Sequence, residues 1–224
     1  MRPGRLIAAI LLALFCVAFS GVPSPAVLEV KMSYNGPADE ENNAVHLYAV
    51  NFKKLVEEGT GGAVAIKLFP DSQLGNEEER MELLAKKGMN QPIINVASFA
   101  GVAPVFPEIY ASAVPFMFDS FEAAHFFFDE SRYWERAKEE FHQRTGAYLL
   151  EAVEEGGFLA FSNDKRQIRT AEDFKGLRFR GMDEGQVILF ESFGASGTPI
   201  PWTELYMALK SGVVDGQMNP AMYI

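Results

Sequence analysis

The residue of this chain best suited to bind a small anion is Arg180, at the end of a predicted strand whose core positions are Leu177 and Phe179. In open α/β sheets, ligands collect beyond the carboxyl ends of the strands. A guanidinium there presents a planar fork of N–H donors that matches a carboxylate in bidentate geometry. A surface ion pair explains the same arginine equally well on position alone, because acidic residues outnumber basic ones by 30 to 20. Both interpretations are open at this point.

Signatures of catalysis are weak. The histidines His46, His125 and His142 lie in predicted helices, and none has a partner at metal-binding spacing. No HExxH, CxxC, GxSxG or Walker motif occurs in the sequence. The glycine-rich run at residues 59–62 follows a helix and precedes a strand, whereas phosphate-binding loops lie between a strand and a helix. We therefore predict no catalytic residue, no metal and no cofactor, and expect the protein not to be an enzyme.

The overall composition is that of a globular protein. The 224 residues are 48% hydrophobic and 22% charged, which excludes a disordered chain and a collagen-like fibre. A single cysteine, Cys16, excludes an intrachain disulfide. The net charge of −10 gives a surface that repels phosphate backbones, so we expect no nucleic acid among its partners.

Residues 1–26 have the features of a secretory signal peptide. Arg2 and Arg5 precede an unbroken apolar run at residues 6–19. This run is shorter than the about 20 residues that a stable bilayer-spanning helix needs. Cleavage after Ser20 fits the small-x-small rule, and Ala26 offers a later site. We therefore expect export to the periplasm, with an uncleaved N-terminal anchor as the alternative.

The elements that would position Arg180 begin with alternating strands and helices. Residues 28–32 alternate apolar with charged side chains, as a half-buried strand does. The next four elements are predicted from amphipathic spacing, helix-end charges and apolar runs: a helix at 45–59, a strand at 64–69, a helix opening at Glu77 and a strand at 92–97. This βαβαβ order predicts parallel pairing with right-handed crossovers.

The second half continues the alternation after a long apolar loop predicted at residues 98–118. The predicted helices are at 122–128, 132–144, 183–193 and 202–210, with a short helix capped by the box at 170–173. The predicted strands are at 148–150, 158–161 and 176–180, with another beginning at 213. The fold class is therefore α/β.

Several motifs in this chain agree, in order, with those of one protein family. GLRFR occupies residues 176–180 and TPIPWTELYMALKSGVVDGQMNP occupies 198–220. Upstream, FPDSQLG at 69–75, VPFMF at 114–118 and SNDKR at 162–166 agree as well. In these motifs the chain resembles the DctP-type family, the extracytoplasmic solute-binding proteins of tripartite ATP-independent periplasmic (TRAP) transporters.

The resemblance implies a two-lobed binding protein, with mixed sheets flanked by helices, that closes on a small organic acid and delivers it to the membrane permease of a TRAP transporter. Arg180 matches the family's arginine that grips the ligand carboxylate, and Asn219 matches the asparagine that hydrogen-bonds the same group. Trp202 falls where the family places an aromatic residue against the ligand, and Asn35 matches a polar contact of some members. A core role for Trp202 and a turn role for Asn35 remain alternatives.

The resemblance also shows departures. Leu159 stands where many relatives carry an arginine, which favours a monocarboxylate, with a keto or hydroxy acid as the preferred class. Relatives continue well beyond residue 220, so the resemblance implies a chain that lacks about its last third. The expected division is a signal peptide at 1–26, a first-lobe segment at 27–146, a second-lobe segment at 147–212 and the start of a return crossing at 213–224. Such a chain would expose sheet edges and aggregate readily.

Two other functions stay open on the sequence. The protein could be a secreted binding protein that serves a different transporter or a sensor. It could also be a secreted enzyme that acts on organic acids, with Arg180 holding the substrate. The enzyme hypothesis requires a base, nucleophile or metal site near Arg180, and no motif with convincing spacing supplies one.

Overall fold

The computed structural model of the protein describes residues 26–86 and 91–224. The predicted signal peptide lies outside these ranges, apart from Ala26. Within the described ranges, no helix combines the length and the apolar character that a membrane crossing requires.

The first half is built on a three-stranded parallel sheet in the order β2-β1-β3. The strands are β1 (Leu28–Ser33), β2 (Val64–Phe69) and β3 (Ile93–Asn95), and the helices that connect them are α1 (Ala44–Gly59) and α2 (Glu77–Ala85). The predicted βαβαβ order and its parallel pairing are thus confirmed. The last strand is shorter than expected, and Pro92 contributes only its carbonyl, which accepts from the Lys31 N–H.

Local sequence explains these elements. Asn43 precedes α1 and its side chain accepts a hydrogen bond from the Val45 N–H. Asn76 and Glu79 form a reciprocal capping box at the start of α2. The apolar face of α1 packs on the sheet around fully buried Met32 and Ala49. Burial of this face at about 25 cal/mol per Å² is the main free-energy gain of this layer.

A helical section follows the first sheet. It contains α3 (Phe99–Val102), a 3₁₀ turn at Pro107–Ser112, α4 (Phe121–Glu130) and α5 (Arg132–Thr145). The prediction of a loop over the whole of 98–118 is therefore wrong in part. Ser98 caps α3 by accepting from the Gly101 N–H, and Pro107 supplies the φ angle that begins a helical turn. The predicted helices that became α4 and α5 are confirmed.

The second half is built on a four-stranded mixed sheet in the order β4-β7-β5-β6. The strands are β4 (Leu159–Asn163), β5 (Arg178–Gly181), β6 (Ser196–Pro199) and β7 (Gly216–Pro220). Only β4 runs antiparallel to its neighbour. The flanking helices are a 3₁₀ turn at Ala171–Phe174, α6 (Glu184–Ser192) and α7 (Trp202–Lys210), and a 3₁₀ turn at Ala221–Tyr223 follows β7. The class is therefore mixed α/β, as predicted.

One strand prediction in this half is wrong, and one strand was not predicted. The segment at 148–150 is not a strand and belongs to neither of the two sheets of the described residues. The Tyr148 ring instead stacks on His142 with 4.0 Å between ring centroids. In contrast, β6 carries no apolar alternation and was not predicted. Its Gly197 lies so close to α6 that a Cβ there would be 2.7 Å from the Val187 Cα. This segment therefore forms a strand because it pairs with β5 and packs against α6.

Candidate binding site

Arg180 lies near the carboxyl end of β5 and is 1% exposed. Its Nε donates to the Ile200 carbonyl at 2.8 Å, whereas its buried Nη1 has no partner among the described residues. Burial lowers the pKa of the guanidinium to about 10, and the carboxylates of Glu77, Glu78 and Asp183 oppose that shift. The side chain is therefore still a cation at neutral pH.

The interpretation of Arg180 as a surface ion pair is not supported, since this side chain is buried and forms no salt bridge within the described part of the chain. Leaving a buried donor unpaired costs about 1–3 kcal/mol, and more for a charged group. The buried guanidinium therefore has an N–H donor group that could bind an anion.

Arg180 borders a small cavity between the two halves of the chain. The first half contributes Asn35, Ser72, Asn76, Glu77 and Glu78, and the second half contributes Arg180, Met182, Pro201, Trp202 and Thr203. Three of the four predicted site residues, Arg180, Trp202 and Asn35, thus face one space. The cavity has a volume of about 20 Å³, space for about one water molecule, and residues of both halves line it.

Asn35 follows β1 and belongs to a polar network. Its Nδ2 donates to Glu77 Oε1 at 2.7 Å, and its Oδ1 accepts from Ser72 Oγ at 2.9 Å and from Arg80 Nη2 at 3.1 Å. These contacts fix the orientation of the amide, with its nitrogen toward Glu77. Asn35 is therefore more than a turn residue before Gly36, whose φ of 74° makes the turn.

Trp202 opens α7 and is half-buried. Its ring meets Tyr223 edge-to-face, with 5.6 Å between centroids. It belongs to none of the hydrophobic core clusters formed by the residues described. This placement agrees better with an aromatic wall of the cleft than with a core role.

Asn219 lies in β7, is buried, and donates from Nδ2 to Gln217 Oε1 at 2.6 Å. It does not border the small cavity with Arg180. It lines an adjoining crevice of about 2050 Å³, which Asn35 and Trp202 also border. The structure thus brings Asn219 to the same region but not into the same cavity.

Sequence reasoning missed Glu77 and Arg80 as parts of this region. Glu77 stood out only as an acid at the positive end of a helix, and Arg80 did not stand out at all. Arg80 is fully buried and donates to Asn95 Oδ1 at 2.8 Å and to the Gly75 carbonyl at 2.8 Å. No local pattern marks these side chains, because their partners lie in other elements.

Leu159 lies in β4, where it is about half exposed and borders the large crevice beside Phe158. The position is apolar, whereas Arg169 borders the same crevice. No group of three or more potential metal ligands occurs in residues 26–86 and 91–224.

A family model described as bacterial extracellular solute-binding protein, family 7 (DctP) matches residues 36–224. The 2,3-diketo-L-gulonate-binding periplasmic protein YiaO of Escherichia coli is 27% identical over 93% of this chain and 62% of its own length. The C4-dicarboxylate-binding periplasmic protein DctP of Rhodobacter capsulatus is 29% identical over 77% of this chain and 50% of its own length. The chain thus spans about half to three-fifths of these relatives.

Solved structures of TRAP solute-binding proteins have a fold similar to that of this chain. A TRAP periplasmic solute-binding protein of Polaromonas, bound to D-erythronate, is 28% identical with a TM-score of 0.76 over 88% of this chain and 63% of that chain. A TRAP periplasmic solute-binding protein of Sulfurospirillum deleyianum, bound to succinate, is 28% identical with a TM-score of 0.75 over 87% of this chain and 60% of that chain. These relatives and solved structures are all named as binding proteins for small solutes. Together with the family match over residues 36–224, they show that the chain belongs to the DctP family, family 7 of the bacterial extracellular solute-binding proteins.

Proposed function

We propose that this protein is the periplasmic substrate-binding subunit of a TRAP transporter and binds a small organic acid through Arg180. The observation that carries this proposal is the buried guanidinium with an unpartnered Nη1 at a cavity between the two halves. A carboxylate removed from water needs a compensating charge and hydrogen-bond donors, and Arg180 offers both.

The rest of the ligand would lie against residues from both halves. Trp202 covers an apolar portion from α7, Asn35 supplies an amide from the first half, and Asn219 lies at the adjoining crevice. Contacts made with both halves at once would favour the closed conformation, which is a population shift driven by binding. We propose that the closed complex then delivers its ligand to the membrane permease.

We propose a monocarboxylate rather than a diacid. Leu159, where the resemblance implies an arginine in many relatives, and Phe158 make an apolar wall of the crevice, and Arg169 borders the crevice elsewhere. Burying a second carboxylate at this wall without a cationic partner is costly. The periplasmic names of the relatives and the predicted signal peptide support the proposed location.

The first test is a thermal-shift screen of the purified protein against a panel of organic acids. A ligand at 100 times its Kd stabilises the folded state by about 2.7 kcal/mol, or about 5–10 °C in melting temperature. We expect one acid class to raise the melting temperature of the wild type and of Arg136→Ala, an exposed arginine of α5, but not of Arg180→Ala. A ligand shift that persists in Arg180→Ala would contradict the proposal.

A further inference from the structure

We infer that Tyr110 and Tyr223 hold the two halves of the chain closed over the site, each by placing its hydroxyl at the start of a helix in the opposite half. The inference rests on the closure proposed above. It extends that proposal from the residues that would bind the acid to two residues that stabilise the closed conformation.

The first contact begins at Tyr110, which belongs to the first half. It lies in the 3₁₀ turn at Pro107–Ser112 and packs against the core that contains Met81 of α2 and Trp134 of α5. Its ring reaches the first turn of α6 in the second half, where a Cβ on Gly185 would lie 2.9 Å from Tyr110 Cε1 and 3.0 Å from Cζ. So close an approach requires a residue without a side chain at this point of α6.

The hydroxyl of Tyr110 lies at the N-terminus of α6. Asp183 caps this helix, and its Oδ1 would lie 3.2 Å from the same Cβ position on Gly185. Burial, the charge of Asp183 and a hydrogen bond with it raise the pKa of the Tyr110 hydroxyl, and the Gly185 N–H opposes the shift. The phenol therefore stays neutral, and it has both an acceptor and a donor in the opposite half.

Tyr223 makes the reciprocal contact from the second half. It follows β7, its ring packs against Trp202, and its hydroxyl donates to Glu155 Oε1 at 2.9 Å. Burial and the charge of Glu155 raise the pKa of this hydroxyl, whereas a hydrogen bond from the Ala44 N–H opposes the shift. Ala44 is the first residue of α1, in the first half. Tyr223 thus meets the start of α1 as Tyr110 meets the start of α6.

The two contacts depend on the approach of the halves. The first N–H groups of a helix have no acceptor within that helix, so Ala44 and Gly185 each offer a donor to an outside oxygen. The halves are close together in the structure, since the cavity between them at Arg180 measures only about 20 Å³. Separation of the halves would remove each hydroxyl from its helix. The net effect of one such hydrogen bond on the ratio of closed to open molecules is about 2- to 12-fold.

The test is a distance measurement by pulsed electron paramagnetic resonance between nitroxide labels on the two halves. The labels are attached at Lys54→Cys on α1 and Glu191→Cys on α6, which are both exposed positions, and Cys16→Ser removes the native thiol. Dilution with unlabelled protein suppresses distances between different copies. The measurement needs no ligand, because it compares the populations of the closed and open conformations directly.

We expect the ratio of short-distance to long-distance populations to fall at least about 3-fold in Tyr110→Phe and in Tyr223→Phe, and at least about 10-fold in the double variant. Gly185→Ala keeps every hydroxyl and carboxylate but places a methyl group against the Tyr110 ring, so it should match Tyr110→Phe. Tyr206→Phe is the matched control, because Tyr206 is 70% exposed on α7, and it should keep the wild-type ratio.

Distance populations in Tyr110→Phe and Tyr223→Phe that equal those of the wild type would overturn the inference. A lower melting temperature with unchanged populations would also overturn it, because that result indicates a role in folding alone. If one variant does not fold, as its melting curve would show, the remaining variants decide.

These outcomes are distinct from those of the proposed function. If acids stabilise the protein through Arg180 but the distance populations do not change in the tyrosine variants, only the role of the tyrosines is wrong. If the populations change as expected and no acid of the panel binds, the tyrosine contacts stand and the proposed function is wrong.

Discussion

Arg178 and Arg180 lie two residues apart on β5 and have opposite environments. Arg178 is about half exposed and fully paired: its Nη2 lies 2.6 Å from Asp215 Oδ1, and its Nε and backbone N–H donate to Oδ2 at 3.1 and 2.9 Å. Arg180 is buried and, within residues 26–86 and 91–224, makes one side-chain hydrogen bond, to a carbonyl. The ion pair that the sequence offered as an alternative for Arg180 is therefore made by its neighbour. At the residue scale, one arginine pairs with Asp215, and the other is buried without an ion-pair partner among the described residues.

The Asp215–Arg178 pair predicts a specific pH dependence. Hydrogen bonds from Arg178 lower the pKa of Asp215 to about 2, below its ordinary value near 3.9. A lowered folded-state pKa adds stability above the unfolded value, and this stability is lost as the pH falls from about 4 toward 2. We expect Asp215→Asn to cost about 1–2 kcal/mol of unfolding free energy at pH 7.

Urea unfolding of the wild type and Asp215→Asn at several pH values measures this effect. The difference between the two proteins should shrink as the pH falls through this window. Asp164→Asn, an exposed neighbour, serves as the control. A difference that stays constant from pH 7 to pH 2 would show that ionisation of Asp215 does not stabilise the fold.

At the element scale, caps and periodicity explain most helices, whereas neighbours decide the strands of the second sheet. Asp183 caps α6 by accepting from the Gln186 N–H at 2.8 Å, as the sequence predicts. By contrast, β6 forms because β5 pairs with it and α6 lies on Gly197. The segment at 148–150 has good strand composition but no partner, so composition alone does not make it a strand.

This contrast predicts different effects for two glycine substitutions. Gly197→Ala should destabilise the protein by about 1–3 kcal/mol, because its Cβ would lie 2.7 Å from the Val187 Cα. Gly59→Ala, at the end of α1 with no atom within 4 Å of its Cβ, should be neutral or stabilise by up to about 1 kcal/mol.

Thermal melts of both variants measure the two effects side by side. If Gly197→Ala melts at the wild-type temperature, the packing of β6 on α6 does not limit stability as described. If Gly59→Ala lowers the melting temperature, an alanine does not fit the end of α1.

At the scale of the whole molecule, the two halves meet at the small cavity and the large crevice. The crevice carries much apolar surface: Phe116 is 96% exposed, and the loop around it and Phe158 are also exposed. Large exposed apolar patches mark surfaces that pack against other protein or bind ligands. No other segment among the described residues packs over this apolar surface.

We therefore expect residues 27–224, expressed alone, to bind the dye ANS strongly and to self-associate. Exposed apolar surface of this kind favours association over solvation. Sedimentation velocity between about 1 and 50 μM, with ANS fluorescence on the same samples, measures both properties. A cooperative, monomeric species with little ANS binding would contradict this prediction.

The first sheet shows how far the sequence alone could predict the fold. Its three strands and two helices follow from short-range signals: alternation in β1, the 3.6-residue period in α1 and the box at Asn76 and Glu79. The residues of the candidate binding site were harder to predict from the sequence. Arg180 was placed by its position at a strand end, whereas Glu77 and Arg80 became visible only through contacts with Asn35, Ser98 and Asn95.

The sequence by itself determined the α/β class, most helix boundaries and the candidate arginine, because these depend on residues within a few turns of each other. Only the tertiary structure decided that Arg180 is buried with no ion-pair partner among the described residues, that Arg178 takes the ion pair, and that Glu77 borders the same cavity. Burial and charge pairing depend on which distant segments the fold brings together. Local composition does not specify those contacts, since the same side chain can be solvated, paired or left open for a ligand.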